Sequence, residues 1–443
     1  MKDKIEMEIK NPNACGIDIG SRSHFVAVGQ SKEDVREFGV SHSEHLKLID
    51  FLKHNGVKTI AMESTGSYWQ SLFLVLSQAG FETLLVSGAQ TKGFRKTDVK
   101  DARHLQQLHL LGMLSSCFLP DEFTGKIREL CRHRKSLLKD CSKYTNRIQK
   151  CLRLMNLRLD VVISDINGVT GSKIIGAILD GERDPMQLAS LSDKRIRKTK
   201  EEIADALVGN FKDELLYELR DVHEIYCKIQ EKIKHLDCKI EEVLIAGTKH
   251  IELPKEVSLA KKQLKGKNQP KIKIQELSYK LYGTDLSAIP GLGPNTLLSI
   301  VTELGTAVDK FRNSKSFVSW LRLAPNNKIS GGKVLSSHTP KGANPLTIAL
   351  RDASNVIGNQ KSGELSHFFK RIGLKKGRCA AITATARKLA TILFKMIKDK
   401  VPYEPSTPSY ILEKIAEKKL RNLKKMAVEH GFLLIDNQGV ALS

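Results

Sequence analysis

The sequence predicts an α/β domain at its N-terminal end and an all-α remainder. Short β-rich apolar runs alternate with amphipathic segments from Cys15 to about Gly112, and beyond that apolar residues recur at helical spacing. The composition bounds the class. The 443 residues hold 72 Lys+Arg against 49 Asp+Glu, a net charge of +23, yet 41% are hydrophobic. A disordered basic tail is therefore excluded, and the length suggests two to four units of roughly 100–200 residues.

In chain order, Cys15–Gly20 and His24–Gln30 read as strands separated by the turn Ser21-Arg22-Ser23, and Val35–Val40 supplies a third. Ser43–Asn55 reads as a helix, Thr59–Glu63 as a strand, Tyr68–Gln78 as a helix, Glu82–Ser87 as a strand and Asp98–Met113 as a helix. Three sequential strands followed by αβαβα is the element order of a ribonuclease-H-like sheet. That topology puts the first and fourth strands side by side where strand order reverses, and open sheets bind their ligands there.

The middle reads as helical. Apolar residues at Ile127, Leu130, Leu137, Cys141, Tyr144, Ile148, Cys151 and Met155 are interrupted only by Arg134. A second stripe runs Leu215, Leu219, Val222, Tyr226, Ile229, Ile233, Leu236, Ile240 and Val243, a coiled-coil repeat. The stripes can pair as an antiparallel hairpin or each meet a copy in another subunit, and periodicity does not choose. Between them Gly168, Gly171, Gly176, Gly181 and Pro185 mark turns of a small helical module. Ile251–Lys280, with eight Lys against three Glu, reads as a basic flexible linker. The expected domains are 1–119, 120–250, a linker 251–285, a mostly helical 286–400 and a tail helix in 401–443.

No run of about 18 apolar residues occurs and the N-terminus is charged, so a cytoplasmic protein is expected. Eight Cys without a Cys-x-x-Cys pair predict no structural zinc site; Cys141 and Cys151 read as small core hydrophobes. The basic charge points to nucleic acid as partner.

Four carboxylates stand out. Asp18 lies among apolar residues in the first strand, where a charge is costly without a partner or cation. Glu63 ends the fourth strand. Asp98 and Asp101, three apart at a helix start, share a face. Convergence of the four calls for a divalent cation, and oxygen-only ligands suit Mg2+ or Mn2+. That is the metal arrangement of phosphoryl transfer. Taken singly, Asp98 also reads as a helix cap and Asp18 as a turn acceptor for Ser21. Near the C-terminal end, Ile289-Pro290-Gly291-Leu292-Gly293-Pro294-Asn295 reads either as a tight turn or as the hairpin of a helix-hairpin-helix motif that meets phosphates. Lys328-Ile329-Ser330-Gly331-Gly332-Lys333 matches neither a Walker loop nor Gly-x-Ser-x-Gly. It reads as a Ser-Gly turn or as a hydroxyl with small neighbours and cationic flanks, suited to attack on a phosphodiester.

The blocks Gly16–Gly20, Met62-Glu63-Ser64-Thr65-Gly66, Lys96–Ala102, Gly168–Gly171, Gly181–Pro185, Ile329–Lys333 and Ala381–Ala386 together resemble the one-ten family of bacterial insertion-sequence transposases, in order along almost the whole chain. The resemblance implies an N-terminal RuvC-like domain with Asp18, Glu63, Asp98 and Asp101 as its Asp-Glu-Asp-Asp tetrad, and Ser330 as a nucleophile forming a phosphoserine with DNA. It implies element ends and target DNA as substrates, a bridge RNA as guide, assembly as a homo-oligomer from dimer to tetramer, and association with the nucleoid. Gly291, Gly293, Lys328, Lys333 and Lys341 are expected at nucleic-acid phosphates. The chain departs from the family's pattern at Ser336–Pro340, which is less basic, and around Arg387, where many members carry His and this chain has Ala386-Arg387-Lys388. Neither departure touches the tetrad or Ser330. Two other expectations stand beside this one: a metal-dependent nuclease for branched DNA, which would not need Ser330, and an architectural protein that binds without metal.

Overall fold

The computed structural model describes residues 8–435 apart from 65, 89, 92–96, 254–258, 260–265, 267, 343 and 406–408, and leaves out the side chains of 409–416, 418 and 419. The chain divides into two compact units, Met1–Leu119 and Pro120–Ser443.

The first unit holds β1 (Ala14–Ile19), β2 (Ser23–Ala27), β3 (Val35–Gly39), α1 (His42–His54), β4 (Thr59–Glu63), α2 (Trp69–Gln78), β5 (Glu82–Val86) and α3 (Asp98–Leu110). Strand order is β3-β2-β1-β4-β5; β2 and β3 run antiparallel to their neighbours, whereas β1-β4 and β4-β5 are parallel. The expected ribonuclease-H-like order is therefore present. Alternation along β1 sorts its side chains. Cys15, Ile17 and Ile19 are buried with Leu48, Leu52, Leu72 and Leu76 of α1 and α2. Gly16 and Asp18 face the other way, toward α3. Each fully buried aliphatic of this core contributes roughly 1.5–3 kcal/mol.

α3 is held hard against the sheet. A Cβ at Gly16 would overlap the backbone nitrogen of Gln106 and come within 2.5 Å of the Ala102 carbonyl oxygen, so only glycine lets the helix approach this closely. Buried Gln106 donates to the Ala14 carbonyl at 3.1 Å, and buried His109 shares a 2.9 Å hydrogen bond with Thr59. These contacts set the height of the helix start above the strand ends.

In the second unit α4 (Glu122–Leu154) and α9 (Asp213–Thr248) form a long antiparallel pair. Arg134 meets Asp237, Gln230 reaches Cys141, and Arg147 meets Glu218, so later residues of one helix face earlier residues of the other. The two stripes thus pair within one chain. α5 (Leu159–Val162), α6 (Val169–Leu179), α7 (Pro185–Ser190) and α8 (Lys200–Asp205) cap the pair's end with a core of Ile174, Ile175, Ile178, Leu188, Ile203 and Leu207. Arg134 does not break the first stripe. Its guanidinium lies in the seam, 2.5 Å from the equally buried Asp237, which also accepts the backbone N–H of Lys271 at 3.1 Å. The second stripe is corrected at its end: Leu236 and Val243 are only half-buried, and Asp237, Leu244 and Thr248 take the seam. A 3.6-residue helix drifts off a strict heptad over this length.

The segment expected to be a flexible linker is ordered at its end. α10 (Ile274–Tyr282) buries Ile274, Leu277 and Tyr282, and Ile272 just before it is buried too, because these apolar residues break the lysine-rich pattern. Lys261, Lys262, Lys265 and Lys267 lie outside the described residues. There follow α11 (Pro294–Leu304), α12 (Ser314–Trp320), the hairpin β6 (Lys328–Ser330) and β7 (Lys333–Ser336), then α13 (Pro345–Asn359), α14 (Glu364–Lys376), α15 (Arg378–Asp399) and α16 (Ser409–Glu429). α15 packs on α12, α13 and α14, with Phe317 stacked on Trp320 and near Phe394. Arg128 of α4 closes the end of α11, donating to the carbonyls of Thr302 at 3.0 Å and Glu303 at 2.9 Å. A cation there offsets the negative end of the helix dipole.

Candidate active site

The site in the first unit follows from three elements. β1 pairs with β4 in the register Gly16↔Ala61, Ile17↔Met62, so Asp18 and Glu63 stand one step further along adjacent strands, on the α3 face. α3 supplies the other two carboxylates from its first turn. Thr97 is the residue that caps this helix, its hydroxyl accepting the N–H of Lys100. Asp98 is thus not the cap; it and Asp101 are the acidic residues of the opening turn.

All four carboxylates line one cleft of about 580 Å³, together with Ser21, Arg22 and Thr91. Burial pushes the Asp18 carboxyl up to about 6, and the neighbouring charges of Asp101, Asp98 and Glu63 add to that; a hydrogen bond from the backbone of Ile19 works against it. Glu63 is fixed by the Thr91 hydroxyl, which donates to Oε2 at 2.5 Å. Among the described residues no three acidic, His or Cys side chains already stand at coordinating distance from a common point. The donor set is nonetheless all oxygen, crowded with like charge and open to solvent, and it fits a hard divalent cation that would draw the carboxylates together. Thr91 and Arg22 were not singled out from sequence. A loop hydroxyl meeting a carboxylate 28 residues away carries no periodic signal.

The remaining expected residues lie in the second unit. Ser330 ends β6 and pairs with Lys333 across Gly331-Gly332, whose φ values of 54° and 75° make a two-residue hairpin turn of the primed type. The segment read as a loop or Ser-Gly turn is therefore a two-stranded hairpin, because two consecutive glycines permit positive φ at both corner positions. Lys328, Ser330 and Lys333 are exposed, as are Ile329, Val334 and Leu335. Arg322, itself at φ 55°, donates to the Lys341 carbonyl at the base of this region, and the Lys341 side chain is exposed.

Gly291 has φ 82°, and a Cβ there would come 2.8 Å from the Ala353 carbonyl and from Ile357, so packing against α13 accounts for this glycine. Gly293 precedes α11, is half-buried, and has open space where a Cβ would be.

Comparison with known proteins decides the family. A family model described as Transposase matches residues 15–157, the span carrying Asp18, Glu63, Asp98 and Asp101. A second, described as Transposase IS116/IS110/IS902 family, matches residues 283–369, the span carrying Gly291, Gly293, Ser330 and Lys341. The chain belongs to the IS110 family of insertion-sequence transposases. It is also similar to the insertion element IS110 uncharacterized 43.6 kDa protein of Streptomyces coelicolor, 23% identical over 327 residues, which cover 72% of this chain and 74% of that protein. A transposase of this family acts on DNA, cutting and rejoining it in general terms. Members with this N-terminal domain generally use divalent metals. Among the described residues no helix is long and apolar enough to cross a membrane.

Proposed function

We propose that this transposase exchanges DNA strands through a phosphoserine at Ser330, with Asp18, Glu63, Asp98 and Asp101 holding Mg2+ or Mn2+. The observation that carries the reading is the convergence of four carboxylates from β1, β4 and α3 on one cleft in a protein of net charge +23. Held by these four carboxylates, a bound cation would supply charge neutralisation for a phosphodiester oxygen. Thr91 keeps Glu63 in place, and Arg22 at the rim offers a cation to the phosphate chain. Ser330 carries the covalent step: its Oγ bonds to phosphorus, the bond to the leaving sugar oxygen breaks, and the serine proton ends on that oxygen. A hydroxyl from another strand then attacks the phosphoserine and releases Ser330 with its proton restored, so the energy of the phosphodiester is kept. Lys328 and Lys333 flank Ser330 on the exposed hairpin and suit charge building on phosphate.

Family membership supports the finer expectations: a bridge RNA as guide, a homo-oligomer from dimer to tetramer as the working form, and phosphate contacts at Gly293 and Lys341. Asp18→Ala, Glu63→Ala, Asp98→Ala and Asp101→Ala, each checked for an unchanged fold, should lose cation-dependent strand cleavage and joining. Full activity in Asp98→Ala and Asp101→Ala would reduce those two residues to stabilisers of the α3 dipole.

A further inference from the structure

The paired helices α4 and α9 meet the same solvent, yet they carry charge differently. α4 has ten Lys and Arg against three Asp and Glu; α9 has five against nine. α9 compensates itself along its surface, with Lys228 on Glu231 and Lys239 on Glu242. α4 concentrates its cations on one line. Arg132, Lys135, Lys139, Lys143, Asn146, Lys150 and Arg153 recur at steps of three and four residues, and all are exposed. This line is opposite the seam residues Arg134, Cys141 and Ile148. The acids Glu129 and Asp140 fall to one side of it. Among the described residues no ion pair engages Lys135, Lys139, Lys143 or Lys150.

A solvated face needs no such alignment, since mixed charge keeps a helix in water as well, as α9 shows. Four uncompensated lysines on one line repel one another at a small cost that a polyanion laid along them would offset. At 1.5 Å per residue the row from Arg132 to Arg153 is about 31 Å long, close to one turn of B-form DNA. It also runs into a cleft of about 380 Å³ where Arg132 and Lys135 stand beside Asn295, Thr296 and Ser299 of α11, the helix preceded by Gly293.

We infer that the outward face of α4 is a docking surface for the phosphate backbone of duplex DNA. This rests on the reading that the protein works on DNA, and adds where the duplex lies on the second unit. The surface reads charge and not sequence, because lysines on a straight helix facing away from its partner reach phosphates without entering a groove.

The test uses the full chain and a 30-base-pair DNA duplex of mixed sequence, with affinity measured across a range of salt. One variant carries Lys135→Gln, Lys139→Gln, Lys143→Gln and Lys150→Gln; a control of equal charge carries Lys228→Gln, Lys232→Gln, Lys234→Gln and Lys239→Gln. The α4 variant should bind at least about tenfold more weakly at moderate salt, with a slope of log affinity against log salt shallower by about 0.9 for each lysine that meets a phosphate. The α9 variant should match the wild type. Melting temperature confirms the fold, and the half-variants at 135/139 and 143/150 should each give part of the loss. An α4 variant with wild-type slope overturns the surface and leaves DNA binding standing, as does equal loss in the α9 variant. So does weakened binding to a hairpin RNA with duplex DNA unaffected. A wild type that binds no duplex overturns both the surface and the reading on which it rests.

Discussion

Asp18 carries its charge against both burial and three neighbouring carboxylates. Its folded carboxyl titrates near 6 against 3.8 for a free aspartate. A raised acid pKa means that the native state holds the proton more tightly than the unfolded chain. The cost of ionising Asp18 is absent below the unfolded value, grows as pH climbs through 3.8 toward 6, and is complete above that. Asp18→Asn, in metal-free buffer, should therefore raise the melting temperature at neutral pH and lose that advantage at about pH 3.5. After discounting for solvent in the open cleft, the gain is on the order of 1 kcal/mol. Mg2+ should stabilise the wild type and leave Asp18→Asn unmoved. Gly16 tests the same geometry from behind: Gly16→Val should destabilise by roughly 1–3 kcal/mol and lift α3 off β1, separating Asp98 and Asp101 from Asp18. Thermal melts and strand-cleavage assays on that variant check both effects. Asp18 and Glu63 were legible because strand alternation fixes which face a carboxylate takes. That Asp98 is not the helix cap was not legible, since Thr and Asp compete for that position on composition alone and it is Thr97 that takes it.

At the scale of the element, the α4–α9 pair shows what an apolar template misses. Periodicity located both helices, and it treated Arg134 as an interruption because it scores one helix at a time. The compensating Asp237 sits 103 residues away. Arg134→Met should cost about 3–5 kcal/mol, because it strands Asp237 in the seam. Arg134→Met with Asp237→Leu should recover most of that loss, less the contribution of the Lys271 N–H that Asp237 also accepts. Chemical denaturation of the two singles and the double closes the cycle. A double no more stable than Arg134→Met would show that the pair is not what holds this part of the seam. The hairpin of Ser330 was missed for a different reason. Its strands are short and exposed, so burial imposes no alternation, and only Gly331-Gly332 betrayed the turn. α10 was hidden by the lysines around it, although Ile272, Ile274 and Leu277 carried the signal.

For the whole molecule, a carboxylate cleft lies in one unit and Ser330 on an exposed hairpin in the other, and the proposed strand exchange uses both. Hydrolysis needs only the first. On the proposed reading rejoining uses the second, because a phosphoserine conserves the bond that water would destroy. Composition and element order carried the class of partner and the fold of the first unit. They could not show which hydroxyl attacks, because a Ser-Gly turn has the same residues whether or not it is catalytic. The decisive measurement is peptide mapping of a covalent protein–DNA adduct, trapped with a suicide substrate bearing the element end in Mg2+ and resolved by mass spectrometry. The expected result is an adduct on Ser330, absent from Ser330→Ala and from Asp18→Ala. Strand exchange persisting in Ser330→Ala, or an adduct on any other residue, would contradict it and leave the carboxylate cleft as the centre of a metal-dependent nuclease.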